Sequence, residues 1–331
     1  MLSELIAPVK RLALVGLAKN TGKTQTLAAI LAEHAVAGVR VGVTSIGRDG
    51  EERDVLDARI AKPAIRLQAG SLVASTGALL RASGLAHERL AQTGVRTPLG
   101  EVVVARLGER GEVEVAGPSA AADVRAVAEQ MLALGAERVL IDGAIDRRAA
   151  SSPEVADGLV MATGAVLGEE IERVVAATAE AVELVRLPRF EGADGVEVAG
   201  RLVLNAEPDA IAALLREHSQ ADTFRVRGAL GERFLEGMLA ARSERAGREL
   251  TIVAADPTKV FLSGRGPSWY ARQGVAIGVQ RTIELRAITV NPVAPRSHRF
   301  ESARLRELIA TAVPGVPVLD VLDPSYLALA K

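Results

Sequence analysis

Nine residues near the start of the chain, Gly16-Leu17-Ala18-Lys19-Asn20-Thr21-Gly22-Lys23-Thr24, have the types and spacing needed to hold a phosphate chain. That chemistry requires backbone N–H groups turned inward around phosphate oxygens, an ammonium reaching the terminal phosphates, and a hydroxyl on the accompanying Mg²⁺. Gly22, Lys23 and Thr24 match those three needs. The generic pattern G-x-x-x-x-G-K-[ST] places its first glycine where Leu17 stands; Gly16 lies one place earlier, so this loop is one residue longer.

Two further stretches could complete the chemistry. Thr44 to Asp54 is sharply polar and follows an apolar run; there Asp49 and Asp54 are candidates for Mg²⁺ coordination or for positioning a nucleophile, and Arg48 for holding an anionic group, against the alternative of a solvated charged loop. Val139-Leu140-Ile141-Asp142 is an apolar run closed by an acid, the expected way for a strand to deliver a carboxylate to Mg²⁺ opposite Thr24. Arg147 and Arg148, just beyond, either clamp a phosphate or carboxylate or cover the surface.

These residues need a scaffold, and the periodicity supplies one. Leu12 to Val15 reads as a buried strand, and Leu27, Ile30, Leu31 and His34 repeat at helical spacing before the stop at Gly38. Val39 to Ile46 reads as a second strand. Strand, helix and strand make a βαβ unit, hence a parallel sheet, and ligands of such sheets bind where strands end. Ser71 to Ser83 reads as helical. Glu101 to Leu107 and Glu112 to Ala116 read as a hairpin, and Asp123 to Leu134 as a helix capped by Gly135. Phe190 to Gly195, polar and glycine-containing, is the expected boundary between a domain at 1–190 and a smaller α/β domain at 196–331. In the second domain, strand-like runs at Arg201–Leu204, Thr251–Ala255, Ile283–Val290 and Val316–Val321 alternate with helical patterns. Asp256-Pro257-Thr258-Lys259 is there either a turn or a site.

Composition sets outer limits. With 331 residues, 49% of them hydrophobic, the chain can bury a sizeable core. A formal charge of −1 with scattered arginines argues against a nucleic-acid footprint. The absence of cysteine excludes disulfides, zinc–thiolate sites, iron–sulfur clusters and thiol nucleophiles. His87, His218 and His298 show no metal spacing, so Mg²⁺ is the one metal expected. No stretch approaches the roughly 20 apolar residues of a membrane helix, and the expected compartment is the cytoplasm.

The long loop resembles that of the dethiobiotin synthetase and cobyrinic-acid synthase group, and Lys19-Asn20-Thr21-Gly22-Lys23-Thr24 resembles the loop of the molybdopterin-guanine dinucleotide B proteins. Taken with Gly42 to Glu51, Thr97-Pro98-Leu99-Gly100 and Ile141 to Arg147, the first half to two-thirds of the chain resembles the small subunit of the lysine 5,6-aminomutase reactivase. The resemblance implies an α/β P-loop NTPase domain with a mainly parallel sheet flanked by helices, a second ATPase subunit as partner, and a client aminomutase using adenosylcobalamin and pyridoxal phosphate. Self-association as a homodimer is left open.

On this reading ATP and Mg²⁺ meet Gly16, Lys19, Asn20, Thr21, Gly22, Lys23, Thr24, Gln25, Arg48 and Arg147. The cation falls to Thr24, Asp49, Asp54 and Asp142, and the residues at the reacting phosphate are Lys23, Asp49 and Asp142. The competing reading is a dethiobiotin-synthetase-like ligase, in which Arg48, Arg147 and Arg148 bind a carboxylate substrate. A GTP-dependent metallochaperone is disfavoured by the lack of an Asn-Lys-x-Asp signature.

Overall fold

The computed structural model describes residues 1–46, 64–144, 150–192, 194–242, 247–295 and 298–329. The chain divides into two compact units, Met1–Thr178 with Glu284–Lys331, and Ala179–Ile283. In the first, a short helix α1 (Leu2–Leu5) precedes β1 (Arg11–Gly16), in which Leu12 to Val15 are all buried. A strand apolar on both faces belongs in the interior of a covered parallel sheet. Next come α2 (Lys23–Val36), with Leu27, Ile30, Leu31 and His34 on its buried face, and β2 (Val41–Ser45). Truncating the fully buried Ile30 to alanine should cost about 2–5 kcal/mol.

The chain continues through β3 (Ile65–Leu67), β4 (Leu72–Thr76), α3 (Gly77–Ala82), β5 (His87–Thr97), β6 (Gly100–Leu107), β7 (Gly111–Val113) and α4 (Ala121–Ala133) to β8 (Arg138–Ala144) and β9 (Gly158–Gly164). Helix α5 (Ile171–Val185) leads into the second unit, which holds β10 (Val196–Val198), α6 (Gly200–Asn205), α7 (Pro208–Glu217), β11 (Thr223–Val226), β12 (Leu230–Gly231), α8 (Glu232–Arg242), β13 (Leu250–Ala254), β14 (Val260–Phe261), α9 (Pro267–Arg272) and β15 (Val275–Val279). The chain then re-enters the first unit with β16 (Glu284–Asn291), α10 (Ser302–Ala312), β17 (Val318–Leu319) and α11 (Pro324–Leu329).

The result is an α/β protein. The first unit is built on a nine-stranded sheet of order β17-β16-β9-β1-β8-β2-β4-β6-β5, in which β6 runs antiparallel to β4 and β5 and the other pairings are parallel. The second carries a parallel four-stranded sheet, β10-β11-β13-β15, with its own core around Phe224, Phe234, Ile252 and Tyr270. Among the described residues no helix is long and apolar enough to cross a membrane.

Four expectations are corrected. The second domain does not run from 196 to 331: residues 284–331 return to the first unit, where β16 pairs with β9, and the division falls inside α5 at Thr178/Ala179 rather than at residues 190–195. Strand runs look alike whichever sheet they join, so sequence order could not reveal the return. Ser71 to Ser83 is not one helix but β4 followed by α3, because a short buried Leu-Val-Ala-Ser-Thr run carries no helical period. The hairpin pairs β6 with β5 across Pro98 and Leu99, while β7 pairs with β3. The sequence does not single out β5 because it is an edge strand with no buried residue, half-exposed to exposed throughout. Arg201 to Leu204 is helical, within α6, with Val203 buried and Leu204 exposed.

Candidate functional site

The loop from Gly16 to Thr24 leaves the C-terminal end of β1 and is anchored on both neighbouring strands. The Leu17 N–H donates to the Ala162 carbonyl of β9 at 2.9 Å. On the other side β8 lies in register with β1, placing Asp142 opposite Leu14.

Gly16 is required by close approach, since a Cβ there would lie 2.6 Å from Thr21 Oγ1. That hydroxyl donates to the Ala18 carbonyl at 2.9 Å, and Thr21 is buried, so its side chain closes the loop on itself. Asn20 and Gly22 both adopt left-handed backbone, with φ of 65° and 92°. Glycine takes this conformation without cost and asparagine at modest cost, and turns of this kind direct successive N–H groups toward one side.

Gly22 caps α2: its carbonyl accepts from the Thr26 N–H at 2.9 Å and from Thr26 Oγ1 at 3.1 Å. The N–H groups of Lys23, Thr24 and Gln25 have no protein acceptor among the described residues, as expected for a first helical turn, and they form a ready anion-binding end.

Within this frame Lys23 Nζ lies 2.6 Å from Asp142 Oδ1, with side-chain exposures of 24% and 28%. The loop cation and the strand acid, 119 residues apart, therefore meet at one point. Asp142 does not end its strand, which continues to Ala144, and its carboxylate meets Lys23 rather than Thr24. Lys19, Asn20, Thr24 and Gln25 are exposed. Arg48, Asp49, Asp54, Arg147 and Arg148 lie outside the described residues.

Nearby, Ser45 and Ser75 tie the segment Glu114–Gly117 across the ends of β2 and β4. The Gly117 N–H donates to Ser45 Oγ at 3.0 Å, and Ser75 Oγ donates to the Glu114 carbonyl at 3.0 Å. His34 is structural. It is buried, and its Nε2 accepts from Arg138 while Nδ1 donates to the Ile30 carbonyl at 2.8 Å. Burial, and then the neighbouring guanidinium, lower its pKa from 6.5.

One contributor was not anticipated as part of the site. Asn291, at the end of β16, donates from Nδ2 to the Asn20 carbonyl at 2.9 Å, and Thr289 Oγ1 lies 2.7 Å from Thr26 Oγ1 in a buried contact. The available signal was an Asn-Pro pair closing the strand-like run Ile283 to Val290.

No family model and no curated protein matches the chain. Among solved structures it is similar to pNOB8 ParA bound to nonspecific DNA, at 15% identity over 80% of this chain and 92% of that one, with a TM-score of 0.28. A likeness this distant carries no argument, so the fold is defined by the strand order above and the site by its contacts.

Proposed function

We propose that this chain binds a Mg²⁺–nucleoside triphosphate, ATP, at the loop Gly16–Gln25 and that the bound nucleotide changes its affinity for a protein partner. The observation that supports this best is the Lys23–Asp142 contact at the open end of α2. A partly exposed ion pair contributes only about 0–1 kcal/mol to stability, so the pair is poorly explained as a structural brace. It is well explained as two groups awaiting a ligand.

The residues present fit a Mg²⁺-bound triphosphate: open N–H donors and an ammonium paired with a carboxylate meet at one helix end, and Thr24 is exposed in that helix's first turn. Lys23 would exchange Asp142 for the terminal phosphates, and the released Asp142 would hold the cation, directly or through water, with the Thr24 hydroxyl. Mg²⁺ would neutralise charge between phosphate oxygens. Lys19 stands exposed on the same loop as a second cation.

The sequence resemblance supports a narrower role as a reactivase subunit, acting with a second ATPase subunit on an adenosylcobalamin-dependent lysine 5,6-aminomutase. Nucleotide would act by binding two conformations unequally. Calorimetry of Mg·ATP against the intact chain tests the first level, and unchanged affinity in a folded Lys23→Ala variant would refute it. A pull-down from the native cell with and without ATP tests the second. Nucleotide-dependent recovery of the aminomutase and the second subunit is expected, whereas ATP consumption driven by a small carboxylate, with neither protein recovered, would point to a ligase.

A further inference from the structure

We propose that Asn291 is a positioning residue for the phosphate-binding loop: from the end of β16 its side-chain amide holds the loop's left-handed turn in the conformation that presents the N–H groups. The amide is oriented from both ends. Oδ1 accepts the Val293 N–H at 3.1 Å, which leaves Nδ2 to donate to the Asn20 carbonyl at 2.9 Å. Asn20 and Ala206 are the two non-glycine residues with positive φ among the described residues. Backbone in a sparsely populated region persists where its surroundings over-determine it, and the Asn291 amide supplies that constraint.

Packing reinforces the bond. A Cβ on Gly22 would lie 3.1 Å from Asn291 Cβ, so β16 sits tightly behind the turn. Thr289, two residues earlier and thus on the same face of the strand, bonds Thr26 in the first turn of α2, so β16 grips the chain on both sides of Gly22. Strand pairing does not bring this about, because β9 lies between β16 and β1. Room for it comes from Gly164 at the end of β9, where a Cβ would lie 2.3 Å from the Asn291 carbonyl oxygen.

The binding consequence rests on the nucleotide reading, but the conformational consequence does not, and two measurements on the full chain separate them. Calorimetry should show Asn291→Ala binding Mg·ATP and inorganic tripolyphosphate both roughly three- to tenfold more weakly than the parent, the loss expected for one hydrogen bond. Asn291→Asp, which keeps the size and loses the donor, should lose at least as much. Loss confined to ATP would mean that the side chain reads the base, and parental affinity in either variant would mean that the amide holds nothing; each result overturns the proposal. Hydrogen exchange without nucleotide should accelerate in Asn291→Ala at the bonded amides of Leu17 and Thr26, which flank the turn, and stay unchanged at Leu14 and Val15. If the parent binds neither ligand the nucleotide reading fails, and this exchange comparison still decides the role of Asn291: equal exchange in parent and variant overturns it.

Discussion

In the nine-stranded sheet strand order reverses about β1, with β8 and β2 on one side, the latter reached from β1 through α2, and β9 and β16 on the other. The four-stranded sheet of the second unit follows sequence order, β10-β11-β13-β15, and has no such reversal. Both sheets place an aspartate within two residues of a strand's last residue, and the two acids have different fates. Asp142 is partly exposed and faces a lysine from a glycine loop. Asp256 is fully buried; its Oδ1 accepts the Thr258 N–H at 2.9 Å and the Thr258 hydroxyl at 2.5 Å, and Arg281 lies 3.5 Å from Oδ2. Where strand order reverses, connections depart to opposite sides and leave a crevice. Where it does not, the turn folds onto its own acid. A strand-end carboxylate is therefore a candidate site only where topology leaves it something to face.

Lys23 separates the two sheet edges most sharply. Lys23→Ala should weaken Mg·ATP binding about 100-fold, the upper range for charge-assisted hydrogen bonds, while leaving the urea midpoint nearly unchanged. Asp256→Ala should do the reverse, destabilising the chain by about 1–3 kcal/mol through its orphaned partners with no change in nucleotide affinity by calorimetry. If Asp256→Ala abolished binding, the contrast drawn between the two edges would be wrong. A smaller effect is expected of Asp142→Asn, which should raise the Mg²⁺ concentration needed for tight binding roughly tenfold and affect metal-free nucleotide binding less. A Mg²⁺ titration identical to the parent's would remove the acid from the site.

The smallest effect concerns acid sensitivity. Folded His34 takes up a proton less readily than the unfolded chain, so below pH 6.5 the unfolded state binds more protons and the first unit loses stability as pH falls. In the second unit Glu232 is held at a pKa of about 2 by the Ser263 hydroxyl first, then by the N–H groups of Gly264, Ser263 and Arg265. Its contribution is present above 4.5 and fades as pH falls toward about 2, and it is modest because the carboxylate is solvent-screened. Denaturant midpoints followed against pH should therefore fall first in a His34-dependent step, which His34→Gln should flatten. A slope unaffected by that substitution would show that other groups set it.

The amino-acid sequence by itself determined the features encoded within a few consecutive residues. The strand, glycine loop and helix at Leu12–Val36 were readable because the apolar strand Leu12 to Val15, the glycines, Lys23 and the helical stripe of α2 are contiguous. The acid of β8 was readable because an apolar run closing on a carboxylate is equally local. The tertiary structure alone decided what depends on distant segments meeting: that Lys23 faces Asp142, that residues 284–331 return to the first sheet, that β5 rather than the run after β6 completes the hairpin, and that Asn291 reaches Asn20 across 271 residues. The reason is physical. Periodicity and turn chemistry report which face of a segment is buried, not which segment buries it. Strand partners are chosen by how the whole set of apolar faces can be covered at once, and no window along the chain contains that sum.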